Sequence, residues 1–176
     1  MTTTAAKTSI DTVDLKTDTG FRLHVRPAGP DDDAALSDFF QHVTKDDLRF
    51  RFLSAIQKVS DKQIAEMTHV DHRQTEDFMI FSAGGDHVIA NAILAADKKM
   101  ENAEVAITVH SDFKDQGIEK TLLEFVAQNA KARGIKKLQS IESRENHCAI
   151  ELERRMGFTA KGVDGDPMLV MLEQRL

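Results

Sequence analysis

The sequence predicts an α/β fold of the α+β kind, with a mixed, mostly antiparallel central sheet flanked by helices. Three observations predict it. Three apolar runs follow one another, Phe78 to Ala83, His87 to Ala95 and Ala103 to Val109, and Gly84-Gly85-Asp86 joins the first two as a hairpin turn would. Helical spacing brackets them, with Leu36, Phe39, Phe40 and Val43 before and Ile118, Leu122, Phe125 and Val126 after. The last strand alternates β-branched and small residues, then passes through a glycine turn into a helix and on to a further strand. That order gives a sheet with helices on its faces.

Taken along the chain, residues 1–20 are dominated by Thr, Asp and Lys, with scattered Ile10, Val13 and Leu15. They are expected to be a flexible tail or a loosely attached edge strand, without chemistry of their own. Residues 21–176 are expected to form a single domain, since no repeat or low-complexity linker divides them. Phe21, Leu23 and Val25 alternate with charged residues as a first strand. Pro27 and Pro30-Asp31-Asp32 introduce a helix that runs to about Val43, where the acidic residues complement the helix dipole. Leu48, Phe52 and Ile56, four apart, predict a second helix over Asp46 to Ile56. Ser60-Asp61 caps a third carrying Ile64, Ala65 and Met67. After the hairpin and the Glu104 strand, Ser111 to Gly117 form a turn, and a helix runs to a stop at Arg133-Gly134. A strand at Lys137 to Glu142, a helix from Asn146 to Met156 and a closing strand pair at Phe158 to Val163 and Met168 to Leu172 complete the chain.

Composition narrows the function classes. At 176 residues, 41% hydrophobic and 30% charged, the chain has the balance of a globular protein with one core. A net charge of −6 argues against nonspecific binding to nucleic acid or an anionic membrane, both of which need a basic face. No apolar run approaches the roughly 20 residues that span a bilayer. The single cysteine, Cys148, has no internal disulfide partner, and the first residues lack the apolar core of a secretory signal, so a cytoplasmic location is expected. Phe is the only aromatic residue type, since Trp and Tyr are absent.

The chemistry concentrates between Glu104 and Phe158. A strand, a glycine turn and a helix start form an anion-binding arrangement: unpaired N–H groups point outward and the helix dipole adds about half a positive charge there. These segments resemble the GNAT superfamily of acyl-CoA-dependent N-acyltransferases over roughly Phe21 to Leu172. Lys114-Asp115-Gln116-Gly117-Ile118-Glu119 lies where that family carries its Q/R-x-x-G-x-G/A loop. Within it, Leu48 to Leu53, Val70-Asp71 and Ala103-Glu104-Val105-Ala106 look like the acetyltransferase domain of bacterial protein lysine acetyltransferases.

The resemblance implies a GNAT-like sheet, acetyl-CoA as cosubstrate and an amine acceptor, possible acceptors being a protein lysine, a protein N-terminus, a polyamine or another small amine. It also implies that Lys114, Gln116, Gly117, Ile118 and Lys120 meet the pyrophosphate, and that Ile107 and Val109 offer main-chain groups to the pantetheine. Asn146 would contact the cofactor arm, although helix capping explains it equally well. The matching glutamate in the subgroup is the general base, which assigns that role to Glu104; a solvent-facing or lysine-paired carboxylate is the competing reading. The loop departs from the family pattern. Lys114 replaces Arg or Gln, Asp115 stands where glycine is common, and Glu119 fills a small-residue position, where it obstructs and repels a pyrophosphate. A second function therefore stays open, a catalytically silent GNAT-like module that binds a ligand or protein through a degenerate CoA loop.

Acyl transfer from a thioester to an amine needs a base for the amine and a donor for the departing thiolate. Where many family members place a tyrosine as that donor, this chain has Glu153, which cannot donate while ionised unless burial raises its pKa. Other polar groups point to structure. His69-Val70-Asp71-His72 offers adjacent positions that do not converge, so no metal is expected. Cys148 reads as a small core residue. Arg49 and Arg51 read equally as a solvated helix face or as a hold for an acidic acceptor.

Overall fold

The computed structural model describes residues 12–176. Eight strands form one sheet in the order β1-β2-β3-β4-β5-β6-β8-β7. They are β1 Val13–Lys16, β2 Arg22–Pro27, β3 Thr75–Ser82, β4 Val88–Ala96, β5 Asn102–Val109, β6 Lys137–Ser143, β7 Thr159–Val163 and β8 Asp166–Arg175. Only β5 and β6 run parallel; every other neighbouring pair is antiparallel. The five helices are α1 Asp33–Gln41, α2 Lys45–Phe52, α3 Asp61–Thr68, α4 Ile118–Ala132 and α5 His147–Arg155. This is the mixed, mostly antiparallel sheet flanked by helices that the sequence predicts.

Strand alternation divides the core into two layers. Phe78 and Ile80 of β3 pack with Leu23, Val25 and the α4 residues Leu122 and Val126. Met79, between them, joins Leu36 and Phe39 of α1, Leu48 of α2 and Ile64 of α3 on the other face. Fully burying a side chain such as Leu122 stabilises by about 1.5–3 kcal/mol. Local signals set the helix ends: Ser60 and Gln63 form a capping box at α3, and Gly134, at φ 83°, follows the end of α4.

One of two stated readings is met and two expectations change in detail. Over Val13–Lys16 the chain is an edge strand paired antiparallel with β2, while residues 1–11 lie outside the described residues. Helix α2 stops at Phe52, because Leu53 turns left-handed at φ 51°; Ile56 packs on the second core from the loop beyond. Pro30–Asp32 form a 3₁₀ turn ahead of α1. There Asp32 accepts two 2.8 Å hydrogen bonds from Arg26, and that guanidinium holds its carboxyl below the usual range, against some opposition from burial.

The parallel junction positions the site. β5 pairs with β6 only from Asn102 to Glu104, opposite Lys137 to Gln139. Beyond it β5 stays with β4 as far as Val109, while β6 stays with β8 as far as Ser143. The sheet therefore opens into a wedge.

Candidate active site

Backbone alternation aims free hydrogen-bonding groups into the wedge. The Asp97 N–H donates to Asn102 O and the His110 N–H to Ile89 O, so the even-numbered residues of β5 bond to β4. Glu101 O accepts from Lys136 and Lys137, so the odd-numbered residues face β6. Ile107 and Val109, beyond the last paired residue, thus direct their N–H and C=O groups into the gap. The gap holds a cavity of about 240 Å³ lined by Glu104, Ile107, Val109, Lys114 and Asn146. Gln116, Gly117, Ile118 and Lys120 lie outside it, at the turn and first turn of α4. Ile118 is buried in the core, Gln116 O accepts from the Thr19 hydroxyl at 2.9 Å, and Lys120 pairs with Asp18.

The turn before α4 has two left-handed residues, Asp115 at φ 69° and Gly117 at φ 75°. Asp115 therefore adopts a conformation that glycine takes more readily. The first N–H groups of α4 have no partner within the helix and suit an anion. The side chains around them partly oppose it. Glu119 lines the cavity, and burial raises its pKa; Lys114 works against that rise, while Asp47 and Asp115 add to it. Lys114 Nζ lies 2.5 Å from Asp47 Oδ2. Burial works against the lysine charge, but Asp47 outweighs it and raises the Lys114 pKa overall. The wedge thus offers free backbone hydrogen-bonding groups along β5 and, beside the start of α4, one neutralised cation among three carboxylates.

Glu104 projects into the cavity from β5, and the described lysine ion pairs all go to other carboxylates. Its carboxyl reaches solvent through the opening, yet packing around it raises the pKa, with Arg51 pulling it down. Arg51 turns inward, which corrects its reading as part of a solvated face: its carbon Cζ lies 4.9 Å from the Phe52 ring centroid, and Asp77 and Glu104 are its acidic neighbours. Burial lowers the Arg51 pKa and raises that of Asp77. The Asn91 amide donates to Asp77 Oδ1 at 2.5 Å. Arg51 Nε, Asp77 Oδ2, Asn91 Oδ1 and Thr108 Oγ1 are buried without a hydrogen-bond partner among the described residues. A polar patch therefore underlies Glu104 in an otherwise apolar layer.

The opposite wall carries a second acidic group. Glu153 of α5 is 6% exposed and accepts from the Ser140 hydroxyl at 2.5 Å. Beside it, at the end of β6, Glu142 accepts from Asn146 Nδ2 at 2.9 Å. Burial and the repulsion of Glu153 push Glu142 up to about 8, and burial also raises Glu153. Asn146 thus acts through its side chain on Glu142, with no side-chain cap on α5. Cys148, expected in the core, is exposed on the first turn of α5 and lines the cavity. Arg49 of α2 reaches Glu145 at 2.7 Å and ties the two walls together.

Asp71 accepts N–H bonds from Arg73, Gln74 and Thr75, and His72 pairs with the buried Glu76, so both shape the approach to β3. Sequence reasoning missed Asp47, Asp77 and Glu142. Alternation along Thr75-Glu76-Asp77-Phe78-Met79 could have found Asp77, which shares the buried face of Met79. Glu142 gives no such signal, because its partner is on another element.

Known proteins share this fold. The family model described as "Acetyltransferase (GNAT) family" matches residues 40–158. An acetyltransferase of Pseudomonas aeruginosa is 22% identical over 146 residues, covering 82% of this chain and 78% of that protein. The GNAT domain of S. lividans PAT aligns with a TM-score of 0.85 at 25% identity, covering 94% of this chain and 97% of that one. Spermidine N-acetyltransferase from Vibrio cholerae, solved with CoA and spermine, aligns with a TM-score of 0.70 at 16% identity, covering 87% and 95%.

Proposed function

This chain belongs to the acetyltransferase (GNAT) family, and on that premise we propose that it transfers an acetyl group from acetyl-CoA directly to a primary amine of a protein lysine, with Glu104 as general base. The observation that carries the reading is the wedge between β5 and β6, where Glu104 and the free backbone of Ile107 and Val109 line one cavity. Ile107 and Val109 would hold the pantetheine amides, and the N–H groups at Gly117 and Ile118 would meet the pyrophosphate, with Lys114 adding charge when Asp47 releases it. The bound thioester supplies the activated acyl group. Glu104, made more basic than an ordinary carboxylate by burial and against the opposing pull of Arg51, accepts the amine proton directly or through a water. Protein lysine is favoured by the likeness of Leu48 to Leu53 and Ala103 to Ala106 to protein lysine acetyltransferases, and by the alignment with S. lividans PAT.

Isothermal titration with acetyl-CoA and with free CoA at low salt tests the reading. Micromolar binding of both supports it and leads to a screen of lysine peptides against polyamines. Absence of binding to either overturns it in favour of a catalytically silent module, the reading that Asp115 and Glu119 in the loop support.

A further inference from the structure

We propose that Glu142 and Glu153 share one proton and deliver it to the departing thiolate, so that the two walls of the wedge divide the acid and base work. The inference rests on the transferase reading for its substrate, but the pair itself rests on geometry. Both carboxyls line the cavity, across from Glu104. Glu153 is 6% exposed, with its Oε2 accepting from Ser140, and Glu142 accepts from Asn146, so neither is turned to solvent by a competing cation. Glu142 is half-buried and Glu153 buried, and their carboxyls are within hydrogen-bonding reach of each other. Two carboxylates so placed do not both stay charged, and one retains a proton.

The remaining groups in the cavity are poorer donors. The chain has no tyrosine. Lys114 is committed to Asp47, and Arg51 faces Asp77 and Glu104. Asp115 and Glu119 line the cavity from the turn and first turn of α4, and Cys148 from the exposed start of α5. None of these holds the proton on the pair; burial and the repulsion between Glu142 and Glu153 do, with the Asn146 hydrogen bond opposing them. Glu142 titrates at about 8, close to the roughly 8.5 of an ordinary thiol. A donor matched in this way to its acceptor is the efficient one near neutral pH.

The step balances. The amine nitrogen bonds to the thioester carbon and gives its proton to Glu104, the carbon–sulfur bond breaks with its electron pair on sulfur, and the pair's proton passes to that sulfur. Glu142 and Glu153 are then both anionic, and their repulsion draws a proton back from water as the products leave.

The test combines two readouts on the full chain. In wild type, carboxyl carbon NMR of glutamate-labelled protein is expected to show one carboxyl titrating near 8, a signal that Glu142→Gln removes. With a lysine peptide, Glu142→Gln and Glu153→Gln are each expected to lower kcat about 100-fold with KM for acetyl-CoA unchanged, and to abolish an alkaline limb of the pH profile. Ser140→Ala, which keeps both carboxyls but removes the bond that favours the charged form of Glu153, is expected to retain the limb, displaced toward alkaline pH. All glutamates titrating in the ordinary range, or unchanged kcat in both Gln variants, would overturn the proposal while leaving the transferase reading intact. If wild type acetylates no amine, the transferase reading fails and the NMR titration alone decides whether the pair holds its proton.

Discussion

Lys114 Nζ lies 2.5 Å from Asp47 Oδ2, so the lysine that lines the wedge is already neutralised by helix α2. With Asp115 and Glu119 beside it, the loop carries more negative than positive charge toward an incoming pyrophosphate. Removing one carboxylate should therefore tighten CoA. A charge pair near a protein surface is worth about 1 kcal/mol or more, which is roughly fivefold in Kd. Glu119→Gly and Asp47→Asn are each expected to tighten CoA by at least about fivefold in titration calorimetry, less so as salt rises. Unaltered affinity in both variants would show that the helix N-terminus alone governs the phosphate end.

Glu104→Gln is expected to lower kcat about 100-fold while leaving acetyl-CoA affinity close to wild type, because the amide keeps the shape and loses the base. The raised pKa of Glu104 places the acid limb of the wild-type pH profile above the usual carboxylate range. A variant with wild-type turnover would take Glu104 out of the mechanism.

Local chemistry explains how much of this was legible in the sequence. The Ser60–Gln63 box, the Gly84-Gly85 turn and the period of Ala103–Val109 each act within a few residues, and the elements they announce are present. The main-chain role of Ile107 and Val109 came from the family resemblance, because the period of a strand does not say which neighbour its N–H and C=O groups face. What was not legible depends on distant partners. Glu142 and Glu153 meet across β6 and α5, Asp47 of α2 reaches Lys114 in the turn before α4, and Arg51 turns inward toward Asp77 and Glu104. Cys148 was misread because a helix position says nothing of its burial until the helix has docked.

The shared proton on the Glu142–Glu153 pair also links stability to pH. Glu142 titrates at about 8 in the fold, against 4.5 for the unperturbed group. Between those values the folded chain keeps a proton that the unfolded chain has released, so raising the pH favours unfolding. Stability is fully present below the unfolded pKa and is lost progressively as pH rises to about 8, at up to about 1.4 kcal/mol per pH unit for one whole proton. Glu142→Gln is expected to flatten this slope in urea unfolding followed from about pH 5 to pH 8. An equal slope in wild type and variant would show that the pair retains no extra proton.

Gly117 controls the loop through its backbone. It sits at φ 75°, and a Cβ built there would lie 3.6 Å from Thr17 Cβ, an ordinary contact. Space is therefore not the constraint, but conformation is. A residue with a side chain held left-handed costs about 1–2 kcal/mol, so Gly117→Ala is expected to destabilise by about 1 kcal/mol in denaturant unfolding. If the chain escapes that strain by reshaping the turn, the first N–H groups of α4 move and CoA binding weakens as stability recovers. Gly162→Ala on β7 is the matched control: a Cβ there meets nothing within 4 Å and the backbone is not left-handed, so a change within about 0.5 kcal/mol is expected. Equal effects of the two substitutions, on stability and on CoA affinity, would show that the left-handed turn is not what shapes the start of α4.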